Sequence, residues 1–377
     1  MLSPADDYPI HQVAEVIRHP GTSDRNFYDR YYFNIYPTSG DLFAVFGLGQ
    51  YPNLGTADAF LAVSDGRVHR VVRASRELGA DRMDTSVGPL KVEVLKGLER
   101  LRVVLEPDGP DGSGLAVDAT FQGVIPAALE PRHWRREHER VSFDTQRLAQ
   151  TGRWTGTLQV GGRTLALEPD RWWGFRDRSW GVRPVGEPEP PGIRASREPS
   201  TFFWCYAPLQ FDDHSILCIF QEERDGTRVL EEAVRVPNDP AQPVQQLGRP
   251  EHDVEFFPRT RAPKRAVLHL TEPDGSKLDV TLEVVLPFYL MKGTGYGFDP
   301  DWRHGMWKGP LEVQARSWDL GDPEVRGSLF GLMENVVTAV QSNGAAGMGM
   351  LEFACIGPHD RYRFAGWEDM GLCPPEP

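Results

Sequence analysis

The chain has 377 residues, of which 40% are hydrophobic and 25% charged, and its formal net charge is −13. That composition fits a globular protein long enough for two domains, and it argues against disorder and against a general nucleic-acid binder. Glycine (38) and proline (32) are spread throughout, which breaks the chain into the short segments that a β-rich fold requires.

Residues 1–9 carry acids and prolines and no apolar core, so they do not read as a signal peptide. No run approaches the ~18 apolar residues of a membrane helix. The expected location is therefore cytoplasmic. Cys205, Cys218, Cys355 and Cys373 form no CxxC pair, which excludes a zinc ribbon or thioredoxin motif on spacing. Residues 24–29 suggest one helical turn. Strand patterns follow at 31–36, 42–48, 59–63 and 68–74, with a turn at Asp65-Gly66, and then at 91–95, 101–106 and 115–123. Residues 154–160 turn at Gly161-Gly162 into 163–167. The second half repeats the rhythm at 202–207, 215–222, 229–236, 266–271, 278–286, 311–318, 325–333, 348–356 and 361–364; residues 334–342 suit a short helix or a strand.

Four landmarks recur in order at an offset of about 160–170 residues. Tyr36-Pro37 matches Tyr206 and Pro208. Asp65-Gly66 matches Asp225-Gly226, Glu106-Pro107-Asp108-Gly109 matches Glu272-Pro273-Asp274-Gly275, and Val124-Ile125-Pro126 matches Val285-Leu286-Pro287. This points to a duplicated, all-β chain of two tandem antiparallel barrels or sandwiches with few short helices. The expected division is 1–184, a proline-rich linker 185–198, and 199–372.

No P-loop, GxSxG, HExxH or EF-hand pattern occurs. Gly293-Thr294-Gly295-Tyr296-Gly297 lacks GxGxxG spacing and reads as a loop; His133 and His138 sit in a charged segment that reads as solvated. The densest chemistry is Gly174 to Pro184, which holds Arg176, Asp177, Arg178, Trp180 and Arg183 just after Trp172-Trp173. In an extended segment alternate residues share a face, so Phe175, Asp177 and Ser179 point one way and Arg176, Arg178 and Trp180 the other. Asp177 would then lie against apolar groups, with a raised pKa that suits a proton donor; a structural Asp–Arg staple is the alternative. A second constellation, Trp302, His304 and Trp307, suits a barrel mouth, with His304 able to relay a proton near neutral pH. Glu334, in Gly331-Leu332-Met333-Glu334-Asn335, loosely mirrors Asp177.

At Arg176-Asp177-Arg178-Ser179-Trp180-Gly181 the chain resembles the tandem lipocalin-like family of carotenoid 1,2-hydratases, kievitone hydratase and lipocalin-like Diels–Alderases. The likeness returns in Asn26 to Phe33, His304 to Pro310 and Gly347 to Glu352; the third motif position is Arg178, where the family usually has histidine. The resemblance implies two lipocalin-like barrels and a pocket for a lipophilic, often isoprenoid, ligand. The expected function is a cofactor-independent, metal-free hydratase that adds water across a C=C bond. Asp177 is the expected acid and His304 or Tyr296 holds the water. Trp172, Trp173, Arg176, Trp180, Tyr296, Trp302, Trp307 and Glu334 contact the ligand. The alternative is a lipophile carrier or a pericyclase-like scaffold, which needs a pocket but no acid. The expected partner is one small lipophilic ligand; the sequence leaves oligomeric state open.

Overall fold

The structure, a computed structural model, describes residues 1–107, 113–137, 139–189 and 201–373. The N-terminal half gives β1 (Phe27–Pro37), β2 (Phe43–Tyr51), β3 (Thr56–Ser64), β4 (Val68–Glu77), β5 (Leu90–Lys96), β6 (Arg100–Leu105), β7 (Leu115–Gly123), β8 (Arg140–Val160) and β9 (Trp172–Val182). The second half gives β10 (Phe202–Gln210), β11 (His214–Glu222), β12 (Arg228–Pro237), β13 (Glu251–Phe256), β14 (Pro263–Thr271), β15 (Lys277–Phe288), β16 (Leu311–Asp319), β17 (Met333–Gln341) and β18 (Ala346–Ile356). Helix is confined, among the described residues, to Pro4–Asp7 and Pro323–Gly327. That second helix replaces the strand expected over 325–333, and the ambiguous 334–342 segment is a strand.

Every pairing is antiparallel. The first sheet runs β16-β4-β3-β2-β1-β9-β8-β7-β6-β5, and its β5 end bends back towards β3 and β4 to give a nearly closed barrel. The second runs β12-β11-β10-β18-β17-β15-β14-β13, a half-barrel. These are two lipocalin-like β-barrel domains. In each, the first strand lies between the second and the last: β1 between β2 and β9, β10 between β11 and β18. The Glu-Pro-Asp-Gly landmarks fall at equivalent connections, β6–β7 and β14–β15, although Asp108 and Gly109 lie outside the described residues. The Asp65-Gly66 and Asp225-Gly226 pair is not equivalent, because the first joins β3 to β4 and the second joins β11 to β12.

Alternation along β1 explains the layering. Phe33 and Ile35 enter the first barrel with Phe46, Phe121 and Trp154. Tyr32 and Tyr36 face outward against Trp204, Tyr206 and Met350 of the second sheet. β2 and β3 are buried on both faces along their whole length, which is why they read as nearly continuous apolar runs. A third cluster around Phe203, Phe220, Leu268 and Phe353 fills the half-barrel. Gly161 (φ 56°) and Gly162 (φ 82°) make the tight turn between residues 156–160 and 163–167, a conformation that glycine adopts without strain.

Between β15 and β17 the chain leaves the half-barrel, crosses the first barrel, adds β16 beside β4 and returns. Two buried arginines fasten this crossing. Arg30 pairs with Asp58 at 3.0 Å, and the other Asp58 oxygen accepts from the Gly305 amide at 2.7 Å. Arg73 donates to the Gly293 carbonyl at 3.2 Å and stacks on Trp302 at 4.4 Å. The first residues of the expected linker are also held: the Gly186 amide donates to the His304 carbonyl, while residues 190–198 lie outside the described residues. Removing Arg30 would strand a buried carboxylate. Arg30→Met is expected to cost about 3–5 kcal/mol in urea unfolding; a loss near zero would show that the latch does not hold the crossing.

Candidate functional site

The equivalent connections β7–β8 and β15–β17 rise on either side of the seam between the barrels. Between them lies a cavity of about 1000 Å³, lined by Tyr32, His133, Phe143, Arg147, Asp177, Arg183, Phe202, Trp204, Tyr296, His304 and Glu352, among others. Its rim carries the exposed Phe298 and Trp367.

The expected two-residue alternation in β9 holds. Phe175 joins the seam cluster, and Asp177 and Ser179 line the cavity. Arg176 turns into the first barrel, where it donates to the Gln150 side chain at 2.8 Å and lies over Phe121. Arg178 pairs with Asp29 and stacks on Tyr31 at 4.1 Å, so the position where the family has histidine faces away from the cavity. Asp177 is half-buried and makes no hydrogen bond among the described residues. Burial pushes its pKa up to about 7; the Arg147 guanidinium acts against the rise, and the Glu130 and Glu352 carboxyls add to it.

Each barrel contributes one acid–tyrosine pair at matching register: Tyr32 opposite Asp177 across β1 and β9, and Tyr206 opposite Glu352 across β10 and β18. Glu352, not Glu334, is therefore the counterpart of Asp177. Glu334 sits on β17, directly across from Glu352. It is fully buried, and among the described residues neither carboxyl oxygen meets a donor at hydrogen-bond geometry. Burial and then the Glu352 charge raise its pKa well above the usual range; Glu352 is raised by burial, against the pull of Arg147. Two facing acids share a proton in such a setting. Glu352 accepts from Trp204 Nε1 at 2.5 Å. Glu130 is neutralised by Arg147 and accepts from Tyr206 Oη at 2.5 Å.

His304 reaches the cavity, but the expectation that it relays a proton near neutral pH is corrected. Nε2 lies 3.1 Å from the Thr294 carbonyl and Nδ1 3.3 Å from Arg183. Burial, then Arg30 and Arg183, lowers its pKa well below the ordinary value. Tyr296 lines the cavity as expected. Seven other expected contact residues do not, among them Glu334, which is buried on β17 opposite Glu352. Trp172 belongs to the first-barrel core and Trp173 lies under Arg153. Arg176 and Trp180 are on the far face of β9, Trp302 is buried under Arg73, and Trp307 is half exposed away from the cavity. The aromatics were assigned by closeness to Asp177 in sequence, whereas neighbours on one strand point to opposite faces. His133, read as solvated, is instead buried, stacked on Phe143 at 4.9 Å, with its pKa lowered to about 4 by burial; His138 lies outside the described residues. Glu130, Arg147, Trp204 and Tyr32 were not anticipated, and Arg183 was noted in its stretch without a role. Tyr32 and Glu352 do fall within the motifs that carry the resemblance. Among the described residues no three ligating side chains are grouped to hold a metal ion.

Residues 2–365 match the profile of a family of unknown function, DUF8625. The chain belongs to that family. No curated protein matches it. Among solved structures, NE1406 of Nitrosomonas europaea, described as an AttH candidate, aligns over 87% of this chain and 92% of its own, at 12% identity and a TM-score of 0.52. Kievitone hydratase from Nectria haematococca aligns over 86% and 88% at 14% identity, TM-score 0.43. CghA with Sch210972 aligns over 92% and 89% at 12% identity, TM-score 0.49. At these identities the likeness concerns the fold, and the first alignment carries it.

The Glu334 proton is retained on folding at pH values where the unfolded chain has lost its own, so this group's contribution to stability falls as pH rises above the ordinary carboxyl range. Glu334→Gln is therefore expected to raise the melting temperature at about pH 9 and to change it little at about pH 4. Calorimetry that showed the same change at both pH values would mean that Glu334 carries no such proton.

Proposed function

We propose that the protein is an enzyme that adds water across a C=C bond of a small, mainly apolar molecule, an isoprenoid or another unsaturated lipid. The observation that carries this reading is the Asp177 carboxyl, free of hydrogen bonds among the described residues, facing the cavity with a pKa pushed up to about 7. An acid of that pKa is protonated in an appreciable fraction at neutral pH and can still give its proton away.

In this reading the Asp177 proton goes to one alkene carbon, and the π electrons form the new C–H bond. The tertiary cation left on the other carbon is sheltered by the ring faces of Tyr32, Phe143 and Trp204. Water bonds to that carbon and gives one proton to Glu352, which shares the charge of the Glu334–Glu352 pair. Return of a proton to Asp177 through solvent restores the site. Trp204 orients Glu352, and Arg147 balances Glu130 nearby. His304 holds Arg183 in place and takes no proton. A carrier, or a scaffold for a pericyclic step, would need the cavity without these acids; their concentration on the walls favours catalysis.

The test is incubation with a panel of linear isoprenoids and polyunsaturated lipids in isotopically labelled water, read by mass spectrometry. The expected product gains one labelled water, and Asp177→Asn lowers turnover by at least ~100-fold while ligand still binds. Turnover should also fall as pH rises through about 7, because only the protonated carboxyl donates. Equal turnover by Asp177→Asn, or activity rising through that range, would overturn the reading.

A further inference from the structure

We infer that the ligand of this cavity is a carboxylic acid with an apolar body, and that its carboxylate docks on Arg183. This rests on the cavity being the reaction site and specifies what enters it.

Arg183 lies just beyond β9 and lines the cavity that Asp177 faces. Its guanidinium is held in one pose. It lies over Tyr28 at 4.5 Å and Tyr296 at 5.6 Å, and Nη2 donates to His304 Nδ1 at 3.3 Å. His304 is fixed in turn by the Thr294 carbonyl and by stacking on Phe60. The other cavity arginines are accounted for: Arg147 pairs with Glu130, Arg25 and Arg140 share Glu189, and Arg30 pairs with Asp58. Arg303 donates to the carbonyls of Phe298 and Asp299. Among the described residues no carboxylate pairs with Arg183. Among the described residues its buried Nε has no partner and Nη1 makes no hydrogen bond.

A cation clamped by aromatic rings and lacking a counter-charge costs free energy in a partly desolvated place, and an incoming anion offsets that cost. A planar guanidinium matches a carboxylate through two parallel hydrogen bonds, and the fixed pose reduces the ordering cost of binding. One arginine that meets neither a carboxylate nor a carbonyl through its guanidinium among the described residues suits one negative charge. A phosphate dianion would meet Glu130 and Glu352, and the other cavity arginine without a carboxylate partner, Arg303, spends its donors on the Phe298 and Asp299 carbonyls. Asp177, protonated in part at neutral pH, does not fully compete for Arg183.

The experiment uses cis-parinaric acid, a fluorescent polyene carboxylic acid, and its methyl ester, titrated into the full-length protein. The acid is expected to bind at least ~10-fold tighter than the ester. Arg183→Gln should remove that difference by weakening the acid alone, and Arg183→Lys should keep part of it. Equal affinities for acid and ester, equal weakening of both by Arg183→Gln, or no binding of either probe would overturn the inference. Asp177→Asn separates this from the catalytic reading, since it should keep the preference for the acid. Equal affinities for acid and ester in the wild-type protein, with water addition intact, would sink only the docking role of Arg183.

Discussion

The constraint on which the molecule depends is the burial of acids at the seam where one β-barrel lies against another. Asp177, Glu352, Glu334 and Glu130 approach one another from three strands and a connection, inside a protein whose interior disfavours charge. The seam meets this in three ways. Glu130 receives the Arg147 guanidinium and a tyrosine hydroxyl. Glu334 and Glu352 face each other across β17 and β18, and burial raises the pKa of both. The Asp177 carboxyl is left without a hydrogen bond among the described residues, and burial pushes its pKa up to about 7. An acid held ready in that way has a chemical use that a fully satisfied ion pair does not.

The duplicated connectivity makes this arrangement possible. Because β1 and β10 each sit beside the last strand of their own barrel, Tyr32–Asp177 and Tyr206–Glu352 arise at matching register and meet across the interface. The two copies have diverged in the connection beyond β7 and its counterpart β15. In the first, the connection into β8 brings Glu130 and His133 to the cavity. In the second, the chain crosses to the other barrel and brings Tyr296 and His304. That crossing uses β16 to extend the first sheet, which leaves the second barrel half open. The latch of Arg30 and Asp58 then ties one wall of the cavity to the floor of the first barrel.

Local periodicity made much of this legible in the sequence. Alternation in β9 put Asp177 on the face away from Arg176 and Arg178, and turn residues located the Gly161-Gly162 hairpin. Partners brought from distant strands carried no local signal. Arg147 and Trp204 come from β8 and β10, and only tertiary packing sets them around the same cavity as Asp177. The tryptophans near the motif misled for a related reason. Trp172 and Trp302 are core and cation-stacking residues, and their bulk alone could not say which face they would take. The Glu334 pairing failed because a loose five-residue match was placed on the wrong strand; register across β10 and β18 selects Glu352.

Arg178 illustrates how the seam and the barrel interior divide the labour of one strand. It replaces a histidine of the resembling family, yet its side chain packs with Asp29 and Tyr31 on the face opposite Asp177. A change there can stiffen the β1–β9 pairing without adding or removing a group from the cavity. The acid itself depends on both barrels: its burial comes from the seam, and the charges that tune it come from Arg147 and Glu130 of one barrel and Glu352 of the other. The chemistry proposed for Asp177 therefore belongs to the contact of the two barrels and not to either unit.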